Sequence, residues 1–100
     1  MSTPYHNLNI LEDNSNFKIF TRVIPEHTDD LELKWHRDNG DRYITVQSGL
    51  NWGLQLENQL PITLEINHTY FIPYDVWHRV IRGQHDLVLI IKEISKSLPS

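Results

Sequence analysis

The sequence contains no cysteine among its 100 residues. This absence excludes disulfide bonds, thiolate zinc sites and cysteine nucleophiles, so histidine, aspartate, glutamate or water would have to bind any metal ion. Lysine and arginine together number only nine, and the net charge is −4. We therefore expect no general electrostatic attraction to nucleic acid or to an anionic membrane surface.

Long apolar segments are also missing. No run approaches the roughly 20 residues that a membrane span needs. Residues 1–10 have neither the basic region nor the long apolar region of a signal peptide. We expect a cytoplasmic protein without a membrane partner.

The composition that remains is that of a globular protein. Hydrophobic residues make up 39% and charged residues 22% of the chain, which suffices for a core. A chain of this length corresponds to one ordinary domain. We therefore predict a single domain over residues 1–100, with its core at about residues 9–94.

Alternating apolar residues indicate strands throughout the chain. Period-two runs are Phe17-Ile19-Thr21-Val23, Leu31-Leu33-Trp35, Ile44-Val46 and Trp52-Leu54-Leu56. Turn residues separate them at even intervals, and helical spacing with caps is absent. This pattern predicts an all-β sandwich or barrel. The Asn39-Gly40 pair is the strongest turn signal, because both residues accept the positive φ of a tight hairpin.

Pro73 and His78 are accompanied by Asn67, six residues before the proline, and by Asp75 between them. This stretch resembles the second sequence motif of the cupin family, in which a Gly is followed six residues later by Pro, then by a second Gly and a His. Asn67 and Asp75 stand at the two Gly positions. Asn is the best substitute for Gly if the turn needs a left-handed residue.

The stretch from His36 to Gly49 is similar to the first cupin motif, which reads His-x-His, then Glu, then Gly seven residues later. Counting back from Gly49 puts Arg42 at the Glu position. His36 then takes the first His position and Asp38 the second. Together the two motifs cover residues 30–83.

The resemblance implies a jelly-roll β-barrel of the cupin type with a metal-centred pocket, for which the family usually supplies three His and one Glu. Here His36, Asp38 and His78 would be the metal ligands, with Asp41 as an alternative to Asp38. Two imidazoles and one carboxylate form the facial set that holds Fe(II) in many oxygenases. The divalent ion would be Fe, Mn, Ni or Zn.

Four further residues are candidates for binding a small-molecule ligand. Arg42 or Arg79 would anchor the anionic end of a small polar substrate through a bidentate pair. Trp52 and Trp77 are the aromatic residues that we expect at the rim of the pocket. These residues would complete the site of a metal-dependent enzyme, although no substrate follows from the sequence.

An alternative function is non-catalytic. Arg42 replaces an anionic ligand by a cation, and if it points inward it would pair with Asp38, Asp41 or Asp75 in a metal-free pocket. The protein would then bind a small molecule without metal or act as part of an assembly. The C-terminal strand Leu87-Val88-Leu89-Ile90-Ile91 is apolar on both faces, and we expect a homodimer to cover its outer face.

Overall fold

The computed structural model describes residues 6–29 and 33–95, and within these ranges it contains eight strands and no helix. None of the described residues forms a helix that is long and apolar enough to cross a membrane. The strands are β1 (His6–Asp13), β2 (Phe17–Ile24), β3 (Arg42–Leu50), β4 (Gly53–Leu56), β5 (Ile62–Thr63), β6 (Thr69–Ile72), β7 (His78–Ile81) and β8 (Gln84–Ile94).

The strands form two antiparallel sheets. One has five strands in the order β1-β2-β8-β3-β6, and the other has three in the order β5-β4-β7. Strands β8 and β3, which are far apart in sequence, are neighbours at the centre of the larger sheet. The predicted all-β architecture is confirmed.

Apolar side chains from both sheets meet in one core. Its most deeply buried members are Trp52, Leu87, Val46 and Ile91. Ile44 and Val46 point into the core, as their alternation in the sequence predicts, and so do Trp52 and Leu54.

The apolar pattern of β2 predicts that its odd-numbered residues, Phe17 to Val23, face the core. In the structure the other face of this strand points to the core. Phe20 and Ile24 are buried at 4% and 2% exposure, whereas the alternating residues of the predicted pattern, Phe17 to Val23, are only half-buried. The inward face of β2 therefore carries Lys18 and Arg22 next to Phe20, because residues i and i+2 share a face of a strand.

The turns predicted at the motif Gly positions have left-handed residues, whereas the turn predicted at Asn39-Gly40 does not. Asn67 and Asp75, at the Gly positions of the second motif, have φ of 67° and 61°, so both adopt the left-handed conformation that Asn and Asp tolerate best. Asn39 and Gly40 are not among the residues with positive φ, so the hairpin prediction for this pair is wrong. A Cβ at position 40 would lie 2.3 Å from the Ile94 carbonyl oxygen, so close packing explains this glycine.

The strand predicted over residues 31–35 is absent where the structure can be described. Leu31 lies outside the described residues, and residues 33–35 belong to no strand. Leu33 is buried at 9% exposure while Trp35 is 39% exposed, so the two do not share a face. This irregular backbone turns His36 toward the interior.

Candidate metal centre

A single isolated bridge brings the two motif histidines together. The backbone N–H of His36 donates to the carbonyl of His78, and the reverse bond is also formed, both at 2.9 Å. Side chains opposite each other across such a bridge lie on the same face. The imidazole ring centroids are accordingly 4.2 Å apart.

The residues on either side of the bridged histidines point outward, because side chains alternate along extended backbone. There the Arg37 guanidinium lies 4.7 Å from the Trp77 ring, and the Arg79 guanidinium lies 5.0 Å from the Trp35 ring. Each pair joins the segment that carries one histidine to the segment that carries the other. The two arginine–tryptophan pairs thus stabilise the bridge from its solvent side.

Backbone carbonyls determine the orientation of both imidazoles. His36 Nδ1 lies 3.0 Å from the Lys34 carbonyl oxygen, and His78 Nδ1 lies 2.9 Å from that of Val76. A carbonyl only accepts hydrogen bonds, so each Nδ1 carries a proton and donates it. In the neutral ring Nε2 then keeps its lone pair. This is the usual arrangement of a metal-binding histidine.

Asp38 directs its two carboxylate oxygens to different partners. Oδ1 lies 3.5 Å from Arg42 Nη1, and Oδ2 lies 3.1 Å from His78 Nε2. Oδ2 is buried, yet it accepts no directed hydrogen bond. Two lone pairs facing each other at this distance repel unless a proton or a metal ion lies between them.

The charge states of the group suit a cation. Burial alone would raise the pKa of Asp38, but a hydrogen bond that His78 donates when its Nε2 carries a proton, and then the charge of Arg42, outweigh burial and lower that pKa. Burial lowers the pKa of His36 below its ordinary 6.5 and outweighs the opposing effect of the hydrogen bond to Lys34. At neutral pH the carboxylate is therefore ionised and His36 is neutral, as metal ligands must be.

Among the described residues, His36, Asp38 and His78 are the one group of His, Asp and Glu side chains that meets metal-site spacing. One nitrogen or oxygen of each lies within 4.8 Å of the others. These are the three ligands predicted from the sequence. Asp41, the predicted alternative, has another role, because its Oδ1 accepts the Tyr74 backbone N–H at 2.7 Å.

Arg42 points inward, but its main partner is a carboxylate that the motifs do not contain. Its Nε and Nη2 both lie 2.8 Å from Glu93 Oε2. Glu93 is not among the residues predicted from the sequence, although alternation from Leu89 and Ile91 along β8 places it on the inward face. The guanidinium contacts Asp38 only through Oδ1, so the oxygen that faces the histidines is left open.

The side chains of the other three predicted ligand-binding residues do not face the histidine pair. Trp52 is fully buried in the core, where its indole N–H lies 2.9 Å from the His85 carbonyl oxygen. Trp77 is 42% exposed. Arg79 donates from Nε to Gln55 Oε1 at 2.9 Å, on the outer side of β7. The predicted rim position of Trp52 is therefore wrong, and the roles of Trp77 and Arg79 in ligand binding stay predictions.

A small cavity of about 30 Å³ adjoins the two imidazoles and Arg42. A water molecule needs roughly 10–15 Å³ of such space. The cavity suits an ion or a water molecule rather than a substrate. The rest of its wall is mostly apolar and includes Ile24, Ile44, Leu54, Ile72, Val80, Leu89 and Ile91.

The fold and the site together define a small all-β barrel with a polar His–Asp–His group near one end. No protein-family model and no curated protein matches the sequence. Solved structures do match the fold.

A cupin domain from Bordetella pertussis Tohama I superposes with a TM-score of 0.67 at 22% identity, covering 94% of this chain and 97% of that one. An RmlC-like cupin family protein with a double-stranded β-helix fold, from Methanocaldococcus jannaschii, gives a TM-score of 0.69 at 17% identity, covering 85% and 75%. The protein therefore has the cupin fold, as its two motifs predict.

An enzyme also has this fold. The DMSP lyase DddQ from Ruegeria pomeroyi DSS-3 matches with a TM-score of 0.72 at 10% identity, covering 87% of this chain and 42% of that one. Identities this low establish the common fold and not a common activity.

Proposed function

We propose that this protein binds one divalent transition-metal ion through His36 Nε2, Asp38 Oδ2 and His78 Nε2. The observation that carries the proposal is the buried Asp38 Oδ2, which lies 3.1 Å from His78 Nε2 and has no hydrogen-bond partner when that nitrogen carries no proton. The Nδ1 atoms of both imidazoles are occupied by backbone carbonyls. A cation would satisfy all three inward atoms together.

The donor set narrows the choice of ion. Two imidazole nitrogens and one carboxylate oxygen suit Fe, Mn, Ni or Zn and leave coordination positions open. A bound ion of this kind would act as a Lewis acid or as an activator of oxygen. The protein would be a metal-dependent enzyme acting on a small polar or anionic substrate.

The residues around the proposed ion would perform three tasks. The Lys34 and Val76 carbonyls hold the imidazoles in one tautomer. Arg42 keeps the Asp38 carboxylate ionised and oriented through Oδ1. The apolar wall of the small cavity limits access of water, which strengthens electrostatic interactions inside.

Calorimetric titration of tag-free, chelator-treated protein with Mn(II), Fe(II), Ni(II) and Zn(II) tests the proposal. We expect one equivalent to bind, with a rise in melting temperature that grows with metal concentration. In His78→Gln the binding should fall by more than the roughly 10–100-fold that loss of an outer-shell partner costs.

His68→Gln is the matched control. His68 also places Nδ1 near a carbonyl two residues earlier, that of Ile66 at 3.2 Å, but it is exposed and not part of the group. The control should bind metal like the wild type. Equal losses in both variants, or no binding by the wild type, would refute the metal site.

The second candidate is a metal-free pocket, and the Arg42 contacts favour it. Arg42 and Glu93 form a close ion pair, and Asp38 adds a third charge. In this case a proton on His78 would complete the Asp38 contact. With a metal-free pocket, His78→Gln would lower the free energy of unfolding, and neither this variant nor the wild type would bind metal. The first proposal predicts instead that the variant loses metal affinity.

We further propose a homodimer formed by the outer face of the larger sheet. This face carries half-buried Ile19 and Ile90 beside Tyr43 and Phe71, which are 42% and 44% exposed. Light scattering at tens of micromolar should give the mass of two chains, and Tyr43→Glu should shift it toward one. A wild-type monomer would contradict this proposal.

A further inference from the structure

The small cavity beside the two imidazoles has a mainly aliphatic wall, which the metal site does not explain. Seven Ile, Leu and Val side chains from both sheets line it. Leu54 lies opposite Val80 in the β4–β7 register, and Ile44 lies opposite Ile91 in the β3–β8 register. Asp38 is not part of the lining. The cavity therefore meets the proposed ligand group at the imidazoles alone.

The two arginines that reach this cavity are already engaged. Arg42 pairs with Glu93 at 2.8 Å and with Asp38 at 3.5 Å. The Arg22 guanidinium carbon lies 5.3 Å from the Phe20 ring centroid. An anion in the cavity would have to compete with these partners and would lose its hydration. The cavity therefore favours an uncharged guest.

Size and polarity narrow the choice of guest further. The volume of about 30 Å³ exceeds the roughly 10–15 Å³ that one water molecule needs, but it is far below the roughly 300–1,000 Å³ of a site for an organic ligand. A buried water molecule makes about three hydrogen bonds. Aliphatic side chains offer none, and both imidazole Nδ1 atoms already bond to backbone carbonyls. An apolar molecule of two heavy atoms suits this space better than water does.

We propose that the small cavity is a gas site, which binds one uncharged diatomic molecule of the dioxygen class. The guest would lie among the aliphatic side chains, next to His36 and His78. Use of the guest by a bound metal ion rests on the proposed function, whereas the gas site itself does not.

Methyl NMR spectra of metal-free protein under dioxygen pressure test the proposal, because dioxygen is paramagnetic and speeds the relaxation of nearby protons. Spectra under argon give the reference. We expect a larger enhancement at the Leu54 and Leu89 methyl groups than at those of Leu87. All three leucines are exposed by 3% or less, but Leu87 does not line the cavity. Equal enhancement at the three leucines would overturn the proposal.

A cavity-filling variant locates the site. Val80→Ile adds one carbon to the wall and should remove most of the enhancement at Leu54, its neighbour in the β4–β7 register. Val88→Ile is the matched control, because Val88 alternates with the buried Leu87 and Leu89 along β8 and so points to the outer face of the sheet. The control should keep the full enhancement.

Persistence of the enhancement in Val80→Ile, or an equal loss in Val88→Ile, would contradict the gas site. Melting temperatures identify a variant that fails to fold, and the comparison of leucines in the wild type depends on neither variant.

Nitric oxide, a second uncharged diatomic gas, tests whether a bound ion uses the gas site. In Fe(II)-loaded protein under argon, Val80→Ile should weaken nitric oxide binding while the calorimetric Kd for Fe(II) stays that of the wild type. EPR spectroscopy measures the bound nitric oxide. Unchanged nitric oxide binding would contradict use of the gas site by the ion.

The gas proposal and the metal proposal fail separately. Selective enhancement at Leu54 and Leu89 without any metal binding would leave the gas site intact and refute the metal centre. Metal binding with equal enhancement at the three leucines would refute the gas site alone.

Discussion

The two ends of the barrel contain different kinds of buried residue. One end is filled by Trp52 and Leu87, whose exposed fractions are zero. The other end contains the His36–His78 pair with Asp38, and an Arg42–Glu93 ion pair beside it. The first end gains free energy by burying apolar surface. The second end buries polar groups that need partners.

This difference separates stability from chemistry. Substitutions at the apolar end should change the free energy of unfolding without acting directly on metal or ligand affinity. Substitutions at the polar end should act mainly on metal affinity. Each prediction below tests one side of this division.

The largest expected effect is on stability, in Trp52→Ala. Removing a fully buried indole from a core costs about 3–5 kcal/mol, and the indole N–H also loses its bonds to the Gln84 and His85 carbonyls. Urea unfolding in the presence of a chelator measures this loss of unfolding free energy. Trp77→Ala is the control, because this side chain is 42% exposed. A comparable cost in both variants would contradict the division.

Asp38→Asn should abolish most metal affinity while leaving the fold intact. The amide has no charge to offer the ion, and Arg42 keeps its closer partner Glu93. Asp41→Asn should retain metal, since Asp41 accepts the Tyr74 N–H and lies outside the ligand group. Calorimetric Kd values compare the two variants. If Asp41→Asn lost the metal and Asp38→Asn kept it, Asp41 would be the ligand instead.

A smaller effect is expected from the outer arginine–tryptophan pairs. Trp77→Ala removes the ring that lies 4.7 Å from the Arg37 guanidinium and so loosens the segment that carries His36. An exposed cation–π pair contributes about 0.5–1 kcal/mol, which corresponds to a two- to fivefold weaker metal affinity. Metal titration measures this loss, and an unchanged Kd would show that the bridge orients the histidines unaided.

The smallest predicted effect is the pH dependence of the metal-free protein. The pKa of His36 is lowered from 6.5 in the folded state, so the unfolded chain binds this proton at a higher pH than the folded chain does. Its contribution to stability is complete above pH 6.5 and is lost as pH falls below that value. Chemical unfolding between pH 7.5 and 5.5 should show a flatter profile for His36→Gln than for the wild type.

Much of the fold could be predicted from the alternating apolar runs and from the two cupin-like motifs. Asn67 and Asp75 adopt the left-handed backbone at the two motif Gly positions, so the chain preserves the turn geometry without glycine. The inward face of β2 could not be found from its apolar pattern. Phe17 and Ile19 look like core residues, but the core side instead holds Phe20 between two cations.

The members of the candidate site follow from the resemblance to the two cupin motifs, whereas their surroundings do not. The motif positions give His36, Asp38 and His78 as candidate ligands, with Asp41 as the alternative, and the structure brings the first three together. The ion pair between Arg42 and Glu93 depends on the pairing of β3 with β8, which joins residues 51 positions apart. Local sequence patterns do not predict which residues pair between two strands so far apart in the chain. Trp52 was predicted at the pocket rim, yet its side chain is fully buried in the core.

Anomalous X-ray diffraction from crystals of Mn(II)-loaded protein tests the central claim most directly. The account predicts one strong peak bonded to His36 Nε2, Asp38 Oδ2 and His78 Nε2, with Arg42 still paired to Glu93. The absence of a peak at this position would contradict the metal centre. In that case we expect His78 Nε2 to donate a hydrogen bond to Asp38 Oδ2.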